Sequence, residues 1–237
     1  MTGAEMRFLA TLVTFLAVPA WGAPTGLNVM PTADLVPLRQ LSLGLQNANT
    51  ELRGSESMFH EPRPSPQLEL GLPWNLEGGL DLVPADGPED YRPQLNLKWR
   101  VLSEGYRWPA VAVGASQVGP EVAPNYFLVL SRTLNYQQVQ YQKFRAHHRN
   151  IKLRGIRAHA GILYSGYAWR AMVGTDIEVS DHFVIYADWL SGGSNALSLG
   201  GAIVIDREDS IVVAAQRGNN EDRVSGLLLQ YTHTFAW

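Results

Sequence analysis

Apolar and polar residues take turns along most of the chain, the repeat of strands with one apolar and one wet face. The last segment is the clearest case. Leu227, Leu229, Tyr231, His233, Phe235 and Trp237 fall on one face, and Gly226, Leu228, Gln230, Thr232, Thr234 and Ala236 on the other. Near 94–101, Leu95, Leu97, Trp99 and Val101 oppose Gln94, Asn96, Lys98 and Arg100. Near 169–179, Trp169, Ala171, Val173, Thr175, Ile177 and Val179 oppose Arg170, Met172, Gly174, Asp176 and Glu178. Near 68–72 and 76–82, a run of leucines opposes Glu69, Glu77 and Asp81. Further strands are expected near 40–47, 107–118, 125–134, 153–165, 183–191, 197–206 and 209–217. The total is about twelve, an even count as in single-chain outer-membrane barrels.

A soluble sandwich also alternates, so a secreted soluble β-domain is the alternative. Three features favour a membrane. The apolar face is nearly free of charge. Aromatics recur near strand ends, at Trp74, Tyr91, Trp108, Tyr126, Tyr164, Trp169, Phe183, Trp189, Phe235 and Trp237, as interfacial girdles do. The N-terminus also reads as an export signal: Arg7 precedes an apolar run from Phe8 to Val18, too short to span a bilayer, followed by small residues at Ala20 and Gly22. The expected fold is therefore all-β, an antiparallel transmembrane up-and-down β-barrel in the cell outer membrane. Its parts are a signal peptide at 1–22, a periplasmic lead segment at 23–39 and the barrel at 40–237.

Both termini of an even barrel lie in the periplasm. Short turns are then expected at 73–75, 104–106, 180–182 and 206–209, with longer outer loops near 48–66, 84–91, 119–124, 165–168, 192–195 and 218–223. Residues 135–152 break the pattern, because they form a long connection on the short-turn side. They carry Lys143, Arg145, His147, His148, Arg149 and Lys152 and no acid. A further strand from Gln137 to Phe144 is the other way to read them.

Composition narrows the function. Charged residues make up 17% and the net charge is −3, with no basic excess to suggest a nucleic-acid binder. The chain has no cysteine, which removes disulfides, thiolate metal sites and a lipoprotein anchor. Mean hydropathy is −0.10, as expected when lipid-facing and lumen-facing residues average out. No cofactor and no metal site is expected; His147 and His148 are adjacent, so they point apart in an extended stretch.

The inward set carries the chemistry. Parity turns Glu69, Glu77, Asp81, Asp176, Glu178 and Asp188 into the lumen, with Lys98, Arg100, Arg157, His159 and Arg170. One use is a paired network that holds and fills the barrel, since unpaired buried charge is costly. The other is a charged filter in a narrow polar pore. Tyr231, Phe235 and Trp237 are expected at the membrane girdle, where the closing strand is read during assembly. A lipid-modifying barrel enzyme is the alternative class, but neither a Gly-x-Ser-x-Gly elbow nor a His-Glu-x-x-His motif is present, and no catalytic residue is assigned.

Thr25-Gly26-Leu27-Asn28-Val29-Met30-Pro31-Thr32-Ala33-Asp34 resembles the "G-L-x-x-x-P-T-A" opening of YjbH-like outer-membrane barrels. The stretch Leu97-Lys98-Trp99-Arg100-Val101-Leu102-Ser103-Glu104-Gly105, followed by Pro109-Ala110-Val111-Ala112-Val113-Gly114, is similar to a second motif of that group. Gly174-Thr175-Asp176, Ala187-Asp188-Trp189 and Ser191-Gly192 are similar to its later strands. The resemblance implies a short single-barrel member, with a role as narrow pore or accessory in exopolysaccharide production or export. The partners it implies are outer-membrane lipid, the barrel assembly machinery and polysaccharide or export components.

Overall fold

The computed structural model describes residues 26–28, 30–47, 64–84, 90–120, 123–134, 155–192, 195–206, 208–218 and 225–236. The expected signal peptide, residues 135–152 and Trp237 lie outside these. The strands are β1 (Gln40–Asn47), β2 (Ser65–Leu72), β3 (Leu76–Pro84), β4 (Tyr91–Leu102), β5 (Ala110–Val118), β6 (Asn125–Thr133), β7 (Ile156–Tyr164), β8 (Trp169–Ser180), β9 (Phe183–Leu190), β10 (Ala196–Val204), β11 (Asp209–Gly218) and β12 (Ser225–Ala236). Every neighbour pair is antiparallel and consecutive, and β1 pairs with β12 to close the barrel. Closure removes the free edges that an open sheet would expose, the condition for a sheet to sit in lipid.

The alternation read from the sequence is visible in the burial of the strands. In β4, Gln94, Asn96 and Lys98 are buried, while Leu95, Leu97 and Trp99 are about half exposed. Among the described outward strand positions only Arg132, Asp209 and Arg217 are charged, and each lies at or next to a strand end. Mid-strand charge would cost most there, at bilayer depth. Aromatics form two belts. Trp74, Trp99, Trp108, Phe183 and Phe235 ring the end where β1 starts and β12 finishes, here the terminal end, and Tyr91, Tyr126 and Trp169 ring the far end; all are exposed. An apolar band between two aromatic girdles on a closed barrel is the exterior of an outer-membrane protein.

Two local irregularities follow from the backbone. The β2–β3 turn is a single 3-10 turn over Pro73–Asn75, with Trp74 and Asn75 both at φ 60. In β5 a register shift against β4 turns the consecutive Ser116 and Gln117 both inward, with Gln117 at φ 59. A bulge of this kind re-aims one side chain. The connection from β6 to β7 starts and ends at the terminal end of the barrel, because those strands pair directly.

The largest departure from the sequence reading is at the N-terminal side. Residues 23–39 are expected below the barrel, in the periplasm. The described part, from Gly26 to Pro37, instead lies inside the wall. Met30 and Ala33 have no exposed surface, and they pack with Ala110, Ala112, Phe127, Val129, Leu163 and Met172 on the inner faces of β5 to β8. Burial of that apolar set holds the segment in place.

Candidate functional site

The segment from Gly26 to Pro37 has neither a helix nor a ladder to satisfy its backbone, so the inner wall must do so. It begins with a tight turn in which Gly26 bridges Pro31 and the Leu27 N–H donates to the Met30 carbonyl at 2.9 Å. The Ala33 N–H donates to Ser131 Oγ at 2.9 Å, and the Val36 N–H to Glu77 Oε2 at 2.8 Å. Asp34 pairs with Arg157, Oδ1 to Nη2 at 3.1 Å. The wall is cut back where the segment passes. A Cβ on Gly71 would lie 2.0 Å from the Pro37 carbonyl oxygen, and one on Gly174 2.5 Å from Leu27 Cδ1.

The inward charges are gathered around these anchors. Glu77 and Lys98 are cross-strand partners, 3.1 Å apart and at most 2% exposed. Asp81 accepts from Asn96 Nδ2 at 2.5 Å. Arg157 reaches Glu104 at 3.7 Å as well as Asp34, and Glu104 accepts the Thr133 N–H and hydroxyl. Arg100 donates to Asn75 at 3.4 Å, and Glu178 accepts the Gly155 N–H. Asp188 accepts from Ser198 Oγ at 2.5 Å. Arg170 lies against Gly192 at the far end, and Glu69 faces the cavity described below.

One cluster brings together a serine, a histidine and an aspartate. Ser131 Oγ lies 2.7 Å from His159 Nδ1, and His159 Nε2 lies 2.5 Å from Asp176 Oδ1. The Asp176 carboxylate only accepts, so it takes the ring proton on Nε2; in that neutral tautomer Nδ1 accepts the Ser131 hydroxyl proton, while Ser131 Oγ accepts the Ala33 N–H. A nucleophile and base within reach of each other are the parts of an acyl-transfer site. Here the hydroxyl is fully buried under the segment. The trio is a relay that clamps Ala33 to the wall.

Across the lumen the chemistry changes. Beside the segment runs a cavity of about 290 Å³, between β1, β2, β12 and the inner faces of β9 and β11. Its polar lining is mostly neutral: Ser42, Gln46, Gln67, Gln230, Thr232 and Thr234. Three amides form a chain. Gln230 Nε2 donates to Gln67 Oε1 at 3.3 Å, and Gln67 Nε2 donates to Gln46 Oε1 at 2.6 Å. Glu69 is the one charged side chain among the described lining residues.

Sequence reasoning turned the charged residues inward but did not single out Ser131, Asp34, Asn28 or the three glutamines. The glutamines carried a signal, since Gln46, Gln67 and Gln230 share the inward parity of their strands. On the outside, Tyr231 and His233 both bond Asp209 at the terminal end, His233 Nδ1 at 2.7 Å, and the His233 ring meets Phe235 edge-on.

No protein-family profile and no curated protein matches the sequence. Among solved structures, the barrel is similar to the KdgM porin. In a structure of that porin in complex with disordered oligogalacturonate, the TM-score is 0.52 at 7% identity, covering 83% of this chain and 99% of that one. A second KdgM porin structure gives a TM-score of 0.51 with the same coverage. The likeness is one of fold, a β-barrel of the outer membrane.

Proposed function

We propose that this outer-membrane barrel is a channel, a narrow passage for small polar solutes running beside an N-terminal segment that fills the rest of the lumen. The cavity of about 290 Å³ carries this reading, because it lies inside a closed wall and its described polar lining, Glu69 apart, is made of amides and hydroxyls. Such a lining replaces a solute's hydration shell without the cost of stranding a charge. The porin-type fold supports it, and so does the saccharide in the KdgM complex, as a class of cargo that a barrel of this type accommodates. The resemblance of its short motifs to those of YjbH-like barrels suggests a finer role in exopolysaccharide traffic. The terminal end of the barrel faces the periplasm in this reading.

The experiment is planar-bilayer recording on the refolded full chain in potassium chloride. Discrete current steps from protein that shows heat-modifiable migration are expected. A folded, inserted barrel that passes no current would refute the channel.

A further inference from the structure

Asn28 sits on the inner segment and is one of the residues that line the cavity. It is 8% exposed, and neither Oδ1 nor Nδ2 bonds any described residue. Buried side-chain amides are ordinarily satisfied, so an unpartnered one in a cavity wall points to a ligand. Opposite runs the chain Gln230 to Gln67 to Gln46, which leaves an acceptor oxygen on Gln230 and a donor NH₂ on Gln46 at its two ends. We infer that the passage is a binding site for a neutral, polyhydroxylated solute, held between the Asn28 amide and this glutamine chain. The inference rests on the channel reading and adds to it the class of solute.

The chemistry is selective. A hydroxyl both donates and accepts, so it meets both ends of an amide. A carboxylate only accepts, and it would leave water for a lining whose one described charge is Glu69. The nearby bases are committed on the other side, Lys98 to Glu77 and Arg157 to Asp34 and Glu104. The preference is thus opposite to that expected of a lumen built for acidic sugars.

The test compares maltotriose with trigalacturonate as blockers of the current through the full-length protein, with reversal potentials in a potassium chloride gradient. Equilibrium dialysis of maltotriose against the folded protein in detergent gives a second readout. Maltotriose should block at lower concentration than trigalacturonate, and potassium should be preferred over chloride. Asn28→Leu should weaken maltotriose block and binding roughly tenfold, the loss of about one good hydrogen-bonding contact. Asn28→Asp keeps the size and should raise the potassium preference, so either variant decides if the other fails to fold. Stronger block by trigalacturonate, a chloride preference, or unchanged maltotriose binding in a folded Asn28 variant would overturn the inference. Maltotriose binding without any current would defeat the channel and leave the site standing. Neither binding nor current would defeat both.

Discussion

From β3 to β8 the inner wall carries charge and apolar bulk, and residues 26–37 lie against it; from β9 through β12 to β2 it carries mainly amides, hydroxyls and small residues, and it borders the cavity. The same barrel and the same alternation produce both sides, so the difference lies in what each side packs against. On the filled side the charges do the work of a fastening. Glu77 holds the Val36 N–H as well as Lys98, and Arg157 holds Asp34. Of the inward charges here, Glu77 and Arg157 bond the inner segment directly. The described polar lining of the cavity is neutral apart from Glu69.

Removing an anchor should therefore cost far more than removing a lining residue. Glu77→Ala leaves Lys98 buried without its carboxylate, and a loss of about 3–5 kcal/mol is expected. Gln67→Ala on the open side should cost about 1.5 kcal/mol or less, the range of an ordinary hydrogen bond. Urea unfolding in liposomes, followed by heat-modifiable migration, compares the two, and equal losses would erase the distinction between the sides.

The next largest effect separates inside from outside. Leu97→Arg puts a charge on the lipid face at mid-strand and should cost roughly 2–4 kcal/mol. Thr232→Arg puts the same group into the cavity and should be tolerated, with the current lowered and shifted toward chloride. Equal loss of folded protein would mean that the two faces are not what the alternation says. Asn96 is unsuited as the inward control, because it bonds Asp81 and accepts the Gln117 N–H at 3.1 Å.

Gly71→Ala sharpens the boundary between segment and wall. The added methyl meets the Pro37 backbone, which must move, at a cost of about 1–3 kcal/mol. A cysteine at Leu35, in a chain with no native cysteine, should react faster with a soluble thiol reagent in that background, and the current should rise. An unchanged rate would mean that the segment is not held by fit.

The smallest effect is expected at Asp34→Asn. This pair is partly exposed, 24% at Arg157 and 41% at Asp34, so its loss should cost about 1 kcal/mol or less and fade at high salt. A thermal midpoint that falls as far as with Glu77→Ala would overturn the ranking of the anchors.

The barrel itself was legible in the sequence because one face of every strand meets lipid. Leu95, Leu97 and Trp99 against Gln94, Asn96 and Lys98 can mean only two faces, and the twelve observed strands fall within a few residues of the expected ones. The Glu77–Lys98 pair follows from register once β3 and β4 are neighbours. Arg157 shows where such reasoning stops. Its register partner is Asp176, yet Asp176 binds His159 and Arg157 turns to Asp34. Asp34 comes from a segment whose irregular backbone has no period to read. The "G-L-x-x-x-P-T-A" stretch was therefore visible as a motif but not as what it encodes, a turn and two fully buried side chains, Met30 and Ala33, set into the inner wall.

The alternation and the aromatic spacing, both local properties, by themselves determined the wall: its class, its strands and which residues point inward. Which inward residues share a half of the lumen was decided only in three dimensions. Closure of β1 on β12 brings Gln67 to Gln230, 163 positions apart, and the placing of residues 26–37 inside the barrel covers one half and leaves a cavity beside the other. Parity assigns a side chain to a face, but contact across a lumen depends on how the ring closes and on what is packed within it.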